Sequence, residues 1–445
     1  MSPYNKDRKE EIEYEKWTKK QLIKRILELE NGSPPVPQNI AQNGPALKTL
    51  ANDNDNGNGN VAITTENGQL KKKKVFNLED HNSRLIALKF AYLGWNYQGL
   101  AFQKSETDLP TVEYQILKAL NLTKMVSGID PANCSFSRCG RTDKGVSAMN
   151  QVISLKVRSN LTPEEQKDPT NDSRELDYVN ILNQVLPSDI KFHAVCLRPP
   201  VGFDARFSCK YRHYKYIFEK RNLDIKAMSI AASKFEGVHD FRNFCKIDGS
   251  KQITNFIREI FSAKIEKLKE NDDDYYIFNL KGSAFLWHQV RCMMAILFSI
   301  GQKLEKPEII DDLMNIEKFP KKPVYAMAHD IPLVYYDCEF DDVEWTTPLN
   351  VAKESRSNAG LRALKFDYNL KSLISNMMYD TSVKHRAELE DRITINNGDG
   401  KGRNSKVYVP LANRDSIDTP EVINEKWITK RKKRKLEDGE DDGNE

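Results

Sequence analysis

The chain has 445 residues, with 68 lysines and arginines against 64 aspartates and glutamates, a formal net charge of +4, and 39% hydrophobic and 30% charged residues. That length exceeds one ordinary domain and supplies enough core to fold without disulfide or metal staples, while the near balance of charge excludes a uniformly basic nucleic-acid surface and leaves local basic patches open. The N-terminus is charged from its first residues and the longest apolar run, Met293 to Ile300, falls far short of the ~20 residues a membrane span needs, so a soluble intracellular protein without membrane association is expected.

Residues 1–31 hold the first predicted element, an amphipathic helix from about residue 5. Thr18 and Gln21 form a capping box, Trp17, Leu22, Ile23, Ile26 and Leu27 recur at helical spacing, and Asn31-Gly32 stops the turn. Lys19, Lys20, Lys24 and Arg25 line its other face, which reads as a solvated surface, with RNA contact the sharper alternative. Residues 32–83, rich in Asn, Gly, Pro and Asp and carrying Lys71 to Lys74, cannot bury enough apolar surface to order themselves and read as a flexible linker.

Dense alternation of strands and helices begins at Arg84. Leu85 to Leu93 reads as a strand, Thr111 to Leu120 as a helix opened by Pro110, and Met149 to Arg158 as a strand with Ile153, Leu155 and Val157 on one face. A helix from Tyr178 to Leu186 and a strand from Ile190 to Leu197 complete a first lobe, 84–205. A second lobe, 206–342, contains strand Arg212 to Phe218, helix Asp224 to Ser233, strand Tyr275 to Leu280 and an apolar helix from Leu286 to Ile300 that stops at Gly301. Two successive sets of this kind predict an α+β enzyme of two lobes. Beyond them an extension, 343–425, contains a helix near Leu361 to Met378 and a strand-like stretch from Lys406 to Leu411, and Gly398, Gly400 and Gly402 read as a plain loop. The tail, 426–445, carries six consecutive basic residues, 430 to 435, and reads as too charged to fold. Such a run serves equally as a nuclear localisation signal, an RNA-binding tail or a solubilising end.

The seven cysteines and seven histidines form no C-x-x-C pair and no cluster of metal-site spacing, so reduced, mostly buried thiols and no metal are expected. Three segments stand out chemically. Ser137 to Val146 is a glycine-bounded turn between strands in which Arg141, Asp143 and Lys144 crowd together on a backbone able to approach a ligand closely. Arg291 lies inside the apolar helix, where a permanently charged guanidinium needs a partner, most simply a carboxylate. Strand Arg212 to Phe218 puts Arg212, Tyr214, Tyr216 and Phe218 on one face; a plain core face is the simpler reading, and a base-stacking face the sharper one. Arg138, Arg141, Lys144, Arg206, Lys210, Arg212 and Lys215 gather basic charge around these aromatics, the composition of an RNA groove.

Together the segments resemble the TruA-type family of transfer-RNA pseudouridine synthases. Gly140-Arg-Thr-Asp-Lys-Gly-Val146 matches the family's active-site loop, Phe203-Asp-Ala-Arg-Phe-Ser208 followed by Arg212-His-Tyr-Lys-Tyr216 matches its next segment, and Ala284-Phe-Leu286 with Val290-Arg291 matches its late helix. Phe90-Ala-Tyr-Leu-Gly-Trp95 fits its opening strand, with the usual Tyr-Asp-Gly turn replaced by Tyr92-Leu-Gly. The resemblance spans about residues 84 to 340. The wording around Phe136 to Gln151, with Arg242 to Lys246 and Phe285 to Arg291, most resembles the eukaryotic branch that modifies positions 38 and 39 in the anticodon stem-loop.

The resemblance implies a two-lobed pseudouridine synthase fold, a mixed or antiparallel sheet with flanking helices and a central cleft. It implies that uridine is isomerised after base flipping, with tRNA and a second copy of the chain as partners, no cofactor, and a place in nucleus and cytoplasm. Asp143 would be the catalytic carboxylate, paired with Arg291, which would favour its charged form. Tyr214 would stack on the flipped uracil, Leu286 would pack beside it, Arg141 would help displace the nucleotide, and Arg138, Lys144, Arg206 and Arg212 would contact RNA. Cleavage through a glycal is favoured by the family over a covalent glycosyl intermediate. The alternatives are the same isomerase on other uridines, in tRNA or other RNAs, and a noncatalytic RNA-binding protein. A zinc-dependent base deaminase is disfavoured by the lack of H-x-E and P-C-x-x-C.

Overall fold

The computed structural model describes residues 76–271, 273–347, 351–383 and 393–437, together with 62–63 and 71–72. The expected N-terminal helix and most of the expected linker lie outside these residues. The chain forms two compact units, Met1–Val75 and Phe76–Glu445. In the first, β1 (Ala62–Ile63) pairs antiparallel with β2 (Lys71–Lys72).

The second unit is built on a nine-stranded sheet whose main path runs β6-β3-β5-β11-β7-β10-β9-β8. Its first half consists of β3 (Asn82–Tyr92), the short β4 (Ser137–Arg138), β5 (Ser147–Ser159) and β6 (Ile190–Cys196). The order arises because β3, with Ile86 to Leu88 wholly buried, pairs with both β5 and β6. Residues 76–83, the end of the expected linker, already form a 3-10 turn at Leu78–Asp80 and the start of β3.

Helix α1 (Val112–Leu122) starts where Thr111 accepts the N–H of Tyr114 and buries Val112, Ile116, Leu117 and Leu120, the stripe its spacing predicts. Helix α2 (Tyr178–Val185) opens on Asp177, which accepts the N–H of Asn180, and packs on β6.

The second half contains β7 (Cys209–Glu219), β8 (Gly237–Asp240), β9 (Ile257–Lys267) and β10 (Tyr275–Gly282), covered by α3 (Ile225–Ser233), α4 (Gln289–Gly301) and α5 (Ile309–Met314). Tyr216 and Phe218 of β7 point into the core, as does nearly all of α4. Strand β11 (Leu333–Phe340) joins the halves. It pairs antiparallel with β7 and parallel with β5, through Val334 opposite Ser147 and Tyr335 opposite Ala148. This is the mixed α+β architecture the sequence implied.

The extension departs from expectation in three places. The helix near Leu361 is a 33-residue element, α6 (Val351–Val383). The strand-like 406–411 stretch is not a strand; instead β12 (Ile393–Ile395) pairs with β13 (Arg403–Ser405), just upstream of it. Their connecting loop holds Gly398 at φ +81°, where a Cβ would lie 2.2 Å from the Tyr216 hydroxyl, so only glycine lets the loop close on the sheet.

The basic tail, expected to stay unfolded, is helical over α7 (Pro420–Glu437). Lysine and arginine are good helix formers, and the first turns of α7 are anchored on the body. Asn424 donates to the Ile253 carbonyl at 3.0 Å, and Gly249 packs against Ile423 and Trp427.

Candidate active site

The 139–146 loop is the connection between β4 and β5, so its ends are held by the ladder that pairs Ser137 with Ser154 and Arg138 with Ile153. Main-chain contacts fix it further. Cys139 N–H donates to Val152 at 2.9 Å, and the Gln151 amide both accepts from Gly140 N–H at 3.3 Å and donates to its carbonyl at 3.0 Å. The Thr142 hydroxyl meets that of buried Tyr92 at 2.6 Å, and Thr142 O accepts the N–H of Leu100 at 3.2 Å. Gly145, at φ +81°, leaves a hypothetical Cβ only 2.9 Å from the Asp330 carboxyl carbon, which brings β11's leading segment against the loop. Asp143 is thereby presented at the junction of the two half-sheets with its carboxylate still 26% exposed.

The partner that faces Asp143 differs from the expected one. Arg291 donates its Nε to the Ala328 carbonyl at 2.7 Å and sets Nη2 3.8 Å from Asp330, so its carboxylate is Asp330 and not Asp143. The cause is local. The Arg291 carbonyl accepts the N–H of Ala328 at 3.1 Å, which ties the first turn of α4 to the 328–330 segment and draws the guanidinium with it. The side chain facing Asp143 belongs to His288, three residues earlier, whose Nε2 lies 3.4 Å from Oδ2.

Tyr214 is buried on β7, with the Phe285 ring at 5.0 Å and the Tyr335 ring at 5.2 Å, both edge-on. Burial, followed by the charge of Asp143, pushes its hydroxyl well above the ordinary tyrosine range, so it remains a neutral aromatic beside the carboxylate. Leu286, also buried, lies in the turn before α4, where Gln289 accepts its N–H at 2.8 Å.

The basic residues divide into two groups. Arg138 and Arg212, expected to contact RNA, are committed internally. Arg138 pairs through two nitrogens with the buried carboxylate of Glu113. Arg212 donates to the carbonyls of Ser283 at 2.7 Å, Arg206 at 2.7 Å and Cys139 at 3.0 Å, stitching β7 to the Asp143 loop and to the turn before α4. Both geometries follow from burial, since a guanidinium taken out of water must satisfy its donors within the protein. Arg141, Lys144 and Arg206 are exposed, and among the described residues Arg141 and Arg206 have no ion-pair partner. Partial burial together with the charges of Arg138 and Arg206 holds Arg141 below the usual arginine range, the mark of a cation crowded by other cations.

Glu113, Gln151, His288 and Asp330 complete the site and were not singled out from sequence. Glu113 sits in the first turn of α1, where an acidic residue is ordinary; only its place between Val112 and Ile116 on the buried stripe hinted at an internal role. All seven cysteines are free, six of them buried. Cys139, beneath the loop, is pushed up to about 12 by burial, so it stays an uncharged thiol there.

Comparison with known proteins agrees with this geometry. A family described as tRNA pseudouridine synthase matches residues 231–341. The chain is 52% identical over 419 residues to the tRNA pseudouridine(38/39) synthase of Saccharomyces cerevisiae, covering 94% of this chain and 92% of that protein. It is 42% identical to the protein of the same name in Bos taurus, over 73% of this chain and 67% of that one. To the tRNA pseudouridine synthase A of Archaeoglobus fulgidus it is 34% identical, over 58% of this chain and 85% of the relative.

Proposed function

The chain belongs to the tRNA pseudouridine synthase family of isomerases, and from that premise we propose that Asp143 is the carboxylate that acts on the ribose of a uridine flipped out of tRNA. The C1′–N1 bond breaks, the uracil turns, and C1′ is rejoined to C5. The hydrogen on C5 leaves to solvent and N1 gains one, so the product is an isomer of the substrate and the balance requires no oxidant or second substrate.

One observation carries this reading: Asp143 stands where the two half-sheets meet, with a neutral aromatic wall on one side and exposed cations on the other. A base inside a stack is out of reach of this carboxylate, and extrusion delivers it. Tyr214 stacks on the extruded uracil, Leu286 packs beside it, and Arg141, Lys144 and Arg206 hold neighbouring phosphates, with Arg141 helping to displace the nucleotide. Arg291 supports the site from behind, through Ala328 and Asp330.

The target uridines are those at positions 38 and 39 of the anticodon stem-loop, a reading supported by the names of the yeast and bovine relatives. The test is tritium release from tRNA transcripts labelled at C5 of uridine. Release lost when the uridines at those positions are replaced supports the assignment; undiminished release moves the activity to other uridines.

The active species is a homodimer, supported by the free face of α6. Phe366, Leu370, Leu373 and Met377 follow one another at heptad spacing and are 68%, 44%, 59% and 67% exposed, an apolar seam fit for a partner helix. The exposed basic residues 430–434 of α7 support a nuclear as well as cytoplasmic location.

A further inference from the structure

Beside Asp143 lies a buried group that the proposed chemistry leaves unused. The His288 side chain is 9% exposed, its Nε2 is 3.4 Å from Asp143 Oδ2, and its Nδ1 is buried without a hydrogen-bond partner. It occupies the position before α4 with a positive φ of 61°, yet makes no capping hydrogen bond to that helix. His288 therefore adopts a backbone conformation costly for most residues without using its side chain on the helix it precedes.

The turn that carries it is pinned. Gln289 accepts the N–H of Leu286, Trp287 O accepts the N–H of Lys246 at 2.9 Å, and the Trp287 ring lies 4.6 Å from the imidazole. The imidazole is thus presented to Asp143 by a fixed scaffold, while the guanidinium that could have competed for the carboxylate is held on Ala328 and Asp330.

The tautomer follows from the surroundings. A proton on Nδ1 alone would bury an unpartnered N–H and turn a lone pair toward the carboxylate, which is unfavourable twice over. The proton therefore sits on Nε2, directed at Asp143.

We infer that His288 is a positioning residue for the reaction: its Nε2–H holds the Asp143 carboxylate in the rotamer that faces the ribose, without touching the reacting atoms. This rests on the reading of Asp143 as the catalytic carboxylate. The separation of 3.4 Å is longer than a formed hydrogen bond, as is common before substrate closes a site, and the contact shortens when tRNA is bound.

Two substitutions separate positioning from packing. Asparagine accepts a positive φ as histidine does but is too short to reach Asp143, whereas the Nε2 of glutamine extends as far as the imidazole Nε2. In single-turnover tritium release at saturating tRNA, His288→Asn slows the reaction about tenfold to a hundredfold with the tRNA dissociation constant within about twofold of wild type. His288→Gln recovers a rate within about fivefold of wild type, because its amide N–H restores the donor. A wild-type rate for His288→Asn, equally slow Asn and Gln variants, or a loss confined to tRNA affinity would each overturn the inference. Asp143→Asn, measured alongside, separates the two levels: turnover retained there removes the underlying reading, whereas turnover lost there with His288→Asn unimpaired removes only the role of His288.

Discussion

Arg138 reaches the fully buried carboxylate of Glu113 with both Nε and Nη2, joining the strand that leads into the Asp143 loop to the first turn of α1. Two arginines only three positions apart thus have different work, since Arg141 stands exposed at the tip of the same loop without an ion-pair partner among the described residues.

Arg138→Ala should destabilise the fold by roughly 3–5 kcal/mol, the cost of leaving a buried carboxylate unpaired. Arg141→Ala should change stability by less than about 0.5 kcal/mol and instead weaken tRNA binding, lowering the slope of log affinity against log salt by about one. Urea unfolding and binding titrations at several salt concentrations read the two effects. A stable Arg138→Ala protein with a reduced salt slope would return that arginine to the RNA surface.

Tyr214 touches Phe285 and Tyr335 with its ring, and the proposed role uses only its aromatic face. Tyr214→Phe should therefore keep most of the turnover, and Tyr214→Leu should lose about tenfold to a hundredfold, the rate equivalent of the ~1–3 kcal/mol that a stacked base supplies. Equal losses in both variants would assign the role to the hydroxyl.

Glu175 makes the pH dependence of stability testable away from the active site. Its carboxylate pairs with Arg84 Nη1 at 2.7 Å and accepts from Ser159 at 2.6 Å and from the N–H groups of Asn160 and Leu176 at 3.0 and 2.8 Å. Burial would push it up, but these donors outweigh burial and hold it below the usual glutamate range. A carboxyl depressed in the folded state stabilises fully above its unfolded value of about 4.3 and loses that contribution as pH falls through its folded value. Glu175→Gln should cost about 3 kcal/mol near neutrality, and the gap from wild type should narrow steadily below about pH 4. A gap independent of pH would mean that packing, not charge, is what the substitution removes.

The seam of α6 gives the dimer its own test. Leu373→Glu should shift the sedimentation of the full chain from dimer to monomer without altering its melting temperature, because Leu373 is 59% exposed and contributes little to the core of one chain. An unchanged dimer would place the subunit contact elsewhere, and a monomeric wild type would remove it.

Where burial alternates cleanly, the sequence was a sufficient guide to the fold. The stripe of α1 and the aromatic face of β7 appear as their spacing predicts. Strand β9 was missed because its pattern does not alternate: Ile260 and Ala263 are buried while Ile257 and Phe261 are exposed. Strand β11 escaped because Leu-Val-Tyr-Tyr reads as a short apolar run with no period to separate strand from helix. The Asp143 loop and the flanking motifs were legible as linear words. Its electrostatic partners were not, because Glu113 is 25 residues from Arg138 in the chain, and His288 and Arg291, one turn apart, compete for carboxylates that only the folded chain brings near. Charge density misled at α7, where lysine and arginine extend a helix whose first turns are anchored on the body.

The central claim is that the Asp143 carboxylate does chemistry and that tRNA is held by other groups. The most direct test is Asp143→Asn, an isosteric change that removes the charge, measured for tritium release in a single turnover and for tRNA affinity at the same salt concentration. No release above background together with a dissociation constant within about twofold of wild type is the predicted result, because phosphate contacts supply most of the binding. Release at a rate near wild type would contradict it.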